Sequence, residues 1–167
     1  MDAGLAACGF ANPFAIQVEA IPVALQGHDV CGRAKTGSGK TLAFGVPMLS
    51  RISAKAEPMR PLGLVLVPTR ELAVQVAEVL EPLARHSGRK VLAVYGGSSR
   101  HQQVETLAKG IEIIVATPLR LIDLLKSDEI DVSGVDVVVL DEAERMADDG
   151  FSPPGAGGRR RGAGRYR

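Results

Sequence analysis

The sequence predicts an α/β fold in which a parallel sheet is flanked by helices. Three observations carry this: strand-length apolar runs alternate with helical stretches, a glycine-rich segment opens one of those helices, and an acidic pair closes the last apolar run. The expected strands are Asp29–Gly32, Gly63–Val67, Lys90–Tyr95, Glu112–Ala116 and Val135–Leu140, with helices near 41–53, 70–86, 99–109 and 119–126. In the second helix, Leu72, Val76, Val79, Leu80 and Leu83 recur at helical spacing, as one buried face requires. The run Val137-Val138-Val139-Leu140 is apolar without alternation, the pattern of a strand covered on both faces.

The glycine-rich segment is Ala34-Lys35-Thr36-Gly37-Ser38-Gly39-Lys40-Thr41. A triphosphate is held economically by a turn whose backbone N–H groups converge on it at a helix N-terminus. Gly37 and Gly39 allow the backbone angles and the close approach such a turn needs. In the phosphate-loop pattern Lys40 reaches the β- and γ-phosphates and the Thr41 hydroxyl binds Mg²⁺, while Ala34 stands at the position usually held by the first glycine. A flexible surface turn is the alternative; the apolar run before the segment and the helix after it favour the cradle.

About a hundred residues later comes Asp141-Glu142-Ala143-Glu144. Asp141 falls where a strand ends, the side on which open α/β sheets bind ligands. There Asp141 is expected to hold Mg²⁺ through water, and Glu142 to orient or deprotonate an attacking water. The two segments together predict a P-loop NTPase domain with ATP and Mg²⁺ as cofactors.

Composition bounds the remaining possibilities. A chain of 167 residues with 46% hydrophobic content suits one domain, and no apolar run has the length of a membrane span. Met1-Asp2-Ala3-Gly4 lacks the basic start of a secretory signal. Cys8 and Cys31 fit no metal or redox spacing, so no disulfide partner and a cytoplasmic location are expected. His28, His86 and His101 show no ligand spacing. Five of the 20 basic residues lie beyond Ser152 with no acid among them, leaving 15 against 19 acids before that point, net −4. Contact with nucleic acid must then come from local groups rather than bulk charge.

Several segments together resemble the DEAD-box RNA helicases. Gly9-Phe10-Ala11-Asn12-Pro13-Phe14-Ala15-Ile16-Gln17 is similar to their adenine-reading Q motif, Ala34–Thr41 to motif I, and Pro68-Thr69-Arg70-Glu71-Leu72-Ala73 to motif Ia. Gly96-Gly97 resembles their glycine doublet, Thr117-Pro118-Leu119-Arg120 their T-P-G-R segment, and Asp141–Glu144 motif II, six motifs in family order over residues 9 to 151. The resemblance implies a RecA-like domain of an ATP-dependent RNA helicase. It also implies that Phe10 and Gln17 meet the adenine, and that Ala34, Thr36, Gly37, Ser38, Gly39, Lys40 and Thr41 hold the nucleotide. Thr41 and Asp141 would serve the metal, and Lys40 and Glu142 catalysis. Pro68, Thr69, Arg70, Gly97, Thr117 and Arg120 would line a path for RNA without sequence choice.

Three positions depart from the family pattern. Phe14 replaces a small hydroxyl residue, Leu119 a glycine that lets backbone approach RNA, and Glu144 the last aspartate of motif II. Beyond Phe151 the resemblance stops, so a domain covering 1–151 and incomplete at its C-terminus is expected, followed by a disordered Gly/Arg/Pro-rich tail at 152–167. That switch in composition is what a frameshifted or truncated gene would give. A nucleotide- or RNA-binding fragment without turnover is the alternative function, and a repair or transport motor the alternative ATPase.

Overall fold

The structure, a computed structural model, describes residues 12–35 and 37–148. Phe10, Thr36 and the tail at 152–167 lie outside the described residues. Ten elements follow in order: α1 (Ala15–Leu25), α2 (Lys40–Arg51), β1 (Gly63–Leu66), α3 (Arg70–His86), β2 (Val91–Val94), α4 (Arg100–Leu107), β3 (Ile113–Ala116), α5 (Pro118–Lys126), β4 (Val137–Leu140) and α6 (Ala143–Asp148). The four strands form one parallel sheet in the order β2-β3-β1-β4. The predicted alternation is therefore observed, with strand and helix ends adjusted by one or two residues.

The strand side chains explain the layering. Successive residues of a strand face opposite sides, and every residue of β1 and β3 is buried. Val65, Ile113 and Val115 pack under α2 and α3 against Met48, Ile52, Val76 and Leu80. Leu64, Leu66, Ile114 and Ala116 face the other way, onto Leu107, Leu121, Leu124 and Met146. The continuous apolar runs of β1 and β3 thus come from strands covered on both faces, whereas β4, expected to be covered in the same way, lies at an edge of the four described strands with only Val137 buried and Leu140 42% exposed. One buried charge stitches the opposite end of the sheet: Glu112 accepts hydrogen bonds from Lys90 N at 2.8 Å and Ala56 N at 3.4 Å, with Lys55 Nζ at 3.9 Å.

The expected strand at Asp29–Gly32 is not formed. The segment has no regular secondary structure and joins no ladder of the four described strands, and Val30 is 45% exposed. A strand exists through hydrogen bonds to a neighbour, and the outer edge of β4 carries no ladder among the described residues. Helix α1 was not expected either. Its apolar residues are spread around the whole axis and Pro22 lies inside it, so it lacks the one-sided stripe that marks an amphipathic helix. It packs on α2.

Helices α2 and α3 approach closely at Gly45, where an added Cβ would stand 2.3 Å from Leu80 Cδ2. Leu80 is fully buried, so it has nowhere to move. Gly45→Ala should cost roughly 1–3 kcal/mol by overpacking. The double variant with Leu80→Ala should lose less than the two single losses summed, as measured by urea unfolding.

Candidate nucleotide and nucleic-acid site

All four strands end level. Leu66 pairs in register with Ala116 and with Leu140, and Val94 with Ala116. The ladder runs one residue further: Val67 N donates to Ala116 O at 3.0 Å, Thr117 N to Val94 O at 2.9 Å and Asp141 N to Leu66 O at 3.0 Å. The segments holding Pro68–Arg70, Gly96–Gly97, Thr117–Arg120 and Asp141–Glu142 therefore leave the sheet side by side, at its carboxyl edge. An open cavity of about 2290 Å³ runs along this edge, and Lys40, Asp141, Glu142, Arg70, Gly97, Thr117 and Arg120 all line it.

The phosphate-loop segment turns through two left-handed glycines, Gly37 and Gly39, each at φ +80°. A side chain at Gly37 would meet nothing within 4 Å, whereas a Cβ at Gly39 would stand 2.3 Å from Gln17 Nε2 and 2.7 Å from Phe14 Cδ2. Gly39 is the N-cap of α2, so Lys40 and Thr41 occupy its first turn. There, N–H groups without helical partners and the positive end of the helix dipole both favour an anion. The Ser38 hydroxyl is buried with no hydrogen-bond partner among the described residues. A cradle of N–H groups with an orphaned hydroxyl and an adjacent lysine fits a phosphate group.

Gln17 is buried, and its carboxamide is already engaged. Nε2 donates to Gly39 O at 3.0 Å, and Oε1 accepts from Phe14 N at 3.0 Å. Gln17 thus ties the start of α1 to the loop. A carboxamide offers two N–H donors and two lone pairs, so one of each remains for a base. Phe14 lies over Gly39 while leaving 53% of its surface exposed. Ala34 lines the cavity ahead of the loop.

Lys40 Nζ stands 3.9 Å from Asp141 Oδ1, bringing the loop to the end of β4. Burial pushes the Asp141 carboxyl above the ordinary aspartate range. The Lys40 ammonium opposes that shift, the Glu142 charge adds to it, and a hydrogen bond from the Glu142 backbone opposes it. Glu142 itself adopts φ 55°, a left-handed conformation that costs a non-glycine residue free energy and turns the chain sharply from β4 into α6. Its carboxylate lies 3.8 Å from Arg145 Nη1. Arg33 Nη2 meets Glu144 Oε1 at 3.1 Å on the surface, a pair whose partners lie 111 residues apart in sequence. The carboxylates and the Thr41 hydroxyl offer hard oxygen donors of the kind Mg²⁺ takes.

Among the residues expected to line an RNA path, Thr69 caps α3 by accepting from Leu72 N at 3.3 Å, so its hydroxyl already serves the helix start. Thr117 caps α5 through its backbone position only, with no side-chain cap bond. Arg70 Nη1 lies 3.6 Å from where a Cβ on Gly97 would be. Arg120 donates to Gln103 Oε1 at 2.9 Å and to Ser98 O at 3.3 Å. Leu119 is 77% exposed in the first turn of α5. Sequence reasoning singled out neither Arg33 nor Gln103, since each is an ordinary polar residue until its distant partner is known.

The raised carboxyl of Asp141 has a signed consequence. The folded protein binds this proton more tightly than the unfolded chain, whose value is near 3.8. This contribution to stability is present at low pH and is lost as pH rises from about that value through the folded one. Above it the ionised carboxylate remains a standing cost. Asp141→Asn should therefore raise the thermal midpoint of the Mg²⁺-free protein at pH 7 and flatten that part of its pH dependence. It should also weaken Mg²⁺-dependent nucleotide binding. A lower midpoint in the variant would contradict the electrostatics.

The DEAD/DEAH box helicase family model matches residues 14–156. The chain is 48% identical over 147 residues to DEAD-box ATP-dependent RNA helicase 24 of Arabidopsis thaliana, a match covering 86% of this chain and 19% of that protein. It is 46% identical over 143 residues to DEAD-box ATP-dependent RNA helicase CshA of Streptococcus pneumoniae, covering 86% of this chain and 27% of that protein. The chain thus spans about a fifth to a quarter of the length of these relatives. Among solved structures, the RNA helicase Prp28 of Chaetomium thermophilum bound to ADP aligns at TM-score 0.83 with 42% identity, covering 89% of this chain and 37% of that one. A hypothetical ATP-dependent RNA helicase of Sulfolobus tokodaii aligns at TM-score 0.80 with 39% identity, covering 90% and 43%. The parallel sheet with flanking helices is thus the RecA-like arrangement of these helicases, and the chain belongs to the DEAD/DEAH box helicase family.

Proposed function

We propose that this chain is the Mg-ATP-binding, RNA-contacting part of a cytoplasmic DEAD-box RNA helicase, and that the whole protein hydrolyses ATP to unwind or remodel RNA. One observation carries the proposal: Lys40 of the glycine loop stands 3.9 Å from Asp141, on the sheet edge whose cavity is also lined by Arg70, Gly97, Thr117 and Arg120. Two functions, phosphate binding and strand binding, then share one groove.

The residues divide the work as follows. The backbone N–H groups at Gly37–Thr41 receive the phosphates, and Lys40 supplies the charge that compensates them. Thr41 and the Asp141 carboxylate would hold Mg²⁺, which neutralises charge on the phosphate oxygens. Glu142, set at the turn after β4, orients a water or accepts its proton. The remaining N–H and lone pair of Gln17 suit the donor and acceptor on adenine. Along the RNA path, the exposed Arg70 guanidinium, the Gly97 backbone and Arg120 address phosphates and 2′-hydroxyls, which carry no base identity. Leu119, where the family pattern has glycine, presents a side chain at this surface and narrows the approach. The two arginines paired with the acidic segment, Arg33 and Arg145, already face Glu144 and Glu142. A transition-state arginine is worth about 10³–10⁵-fold in phosphoryl transfer, and neither of these two is aimed at the phosphate loop. Slow turnover by this chain alone is the expected result.

Titration of the chain with a fluorescent ATP analogue in Mg²⁺ tests the proposal. Lys40→Ala should weaken binding at least about tenfold, the loss of a charge-assisted contact, with an unchanged circular dichroism spectrum. GTP should compete at least about fivefold more weakly than ATP, and Gln17→Ala should narrow that gap. Unchanged affinity in Lys40→Ala would remove the loop from the site.

A further inference from the structure

Gln103 belongs to none of the segments that carry the helicase resemblance, yet it is only 7% exposed and all its hydrogen bonds point to the carboxyl edge of the sheet. Its Nε2 donates to Tyr95 O at 3.1 Å and to Ser98 Oγ at 2.6 Å. Its Oε1 accepts from Arg120 Nη1 at 2.9 Å. Arg120 Nη2 in turn donates to Ser98 O at 3.3 Å, and Ser98 Oγ donates to Tyr95 O at 3.0 Å. Four groups from three segments thus close a ring: the loop after β2, the helix α4 and the first turn of α5.

We infer that Gln103 is a positioning residue that locks Arg120 to the Gly96-Gly97-Ser98 loop, so that the two present one rigid contact surface to an RNA backbone. This rests on the RNA path proposed above. An exposed arginine loses about 2 kcal/mol of rotamer freedom when it grips a phosphate. Two hydrogen bonds fix the plane of the Arg120 guanidinium before any ligand arrives, and three of its five N–H donors stay available. The loop needs the same restraint, because Gly97 at φ +81° and its neighbour Gly96 have no side chains to anchor them. A buried amide meets both needs, since it donates toward the loop with one end and accepts from the arginine with the other. Leucine at that position can do neither. Glutamate keeps the acceptor and loses the donor.

The test is a double-mutant cycle on the full chain, read by fluorescence anisotropy of a labelled uridine decamer. Arg120→Ala should weaken binding about tenfold, and Gln103→Leu should match it. The double variant should be no weaker than either single variant. Gln103→Glu should fall between the unmodified chain and Gln103→Leu, since it still accepts from Arg120 but no longer donates to the loop. A merely structural role for Gln103 predicts otherwise: Gln103→Leu would weaken binding further in the Arg120→Ala background, and Gln103→Glu would fail as badly as Gln103→Leu. Either result, or tighter binding in Gln103→Leu, overturns the inference. If the unmodified chain does not bind the decamer, or Arg120→Ala leaves its affinity unchanged, the proposed RNA path fails first and the positioning role falls with it.

Discussion

Everything at the carboxyl edge depends on the register of a four-residue parallel ladder. Because Leu66, Val94, Ala116 and Leu140 end level, four loops with no sequence proximity emerge in one row. The extra backbone bonds at Val67, Thr117 and Asp141 hold that row one residue past the strands. A slip of one residue would turn each strand's side chains to the opposite face of the sheet. Both faces of β1 and β3 are buried in packed cores, so the register of these central strands is fixed by apolar volume on two sides at once. The site inherits its precision from that packing rather than from contacts among its own charged groups.

Those charged groups are held at some cost. Asp141 is desolvated, Glu142 carries left-handed backbone, and the phosphate-loop hydroxyl of Ser38 is buried without a partner among the described residues. Each feature lowers the stability of the chain, and in the proposed site phosphate oxygens and a divalent cation would offset the costs at Ser38 and Asp141. The Lys40–Asp141 pair is the provisional compensation: each charge faces the other at 3.9 Å until something better arrives. Gln17 extends the same logic outward. Its bond to Gly39 O couples the start of α1 to the loop, so nucleotide binding in the proposed site would be linked to the placement of α1 through one amide.

What the sequence made legible were features set by local chemistry. The Val137–Leu140 run, the stripe of α3 and the glycines at 37 and 39 each announce their structure within a few residues. What stayed hidden depends on partners far along the chain. Val30-Cys31-Gly32 reads as a strand, but strand character needs a hydrogen-bonded neighbour, which no short window reveals. Helix α1 hid behind an even spread of apolar residues and an internal proline. Gln103 and Arg33 look like solvated polar positions until the fold places Arg120 beside one and Glu144 beside the other. Most of the candidate site residues were nameable from motifs; the bonds that orient them were not.

The central claim is that a nucleotide cradle and an RNA path occupy one continuous edge. The most direct measurement is an amide-resolved NMR map of the chain titrated first with Mg-ATP and then with a uridine decamer. The account predicts that nucleotide shifts resonances at Gln17, Gly37–Thr41 and Asp141–Glu142, and that RNA then shifts those at Thr69–Arg70, Gly96–Ser98 and Thr117–Arg120. Nucleotide shifts that spare Asp141 and Glu142, or RNA shifts clustered at the opposite end of the sheet near Glu112, would contradict it.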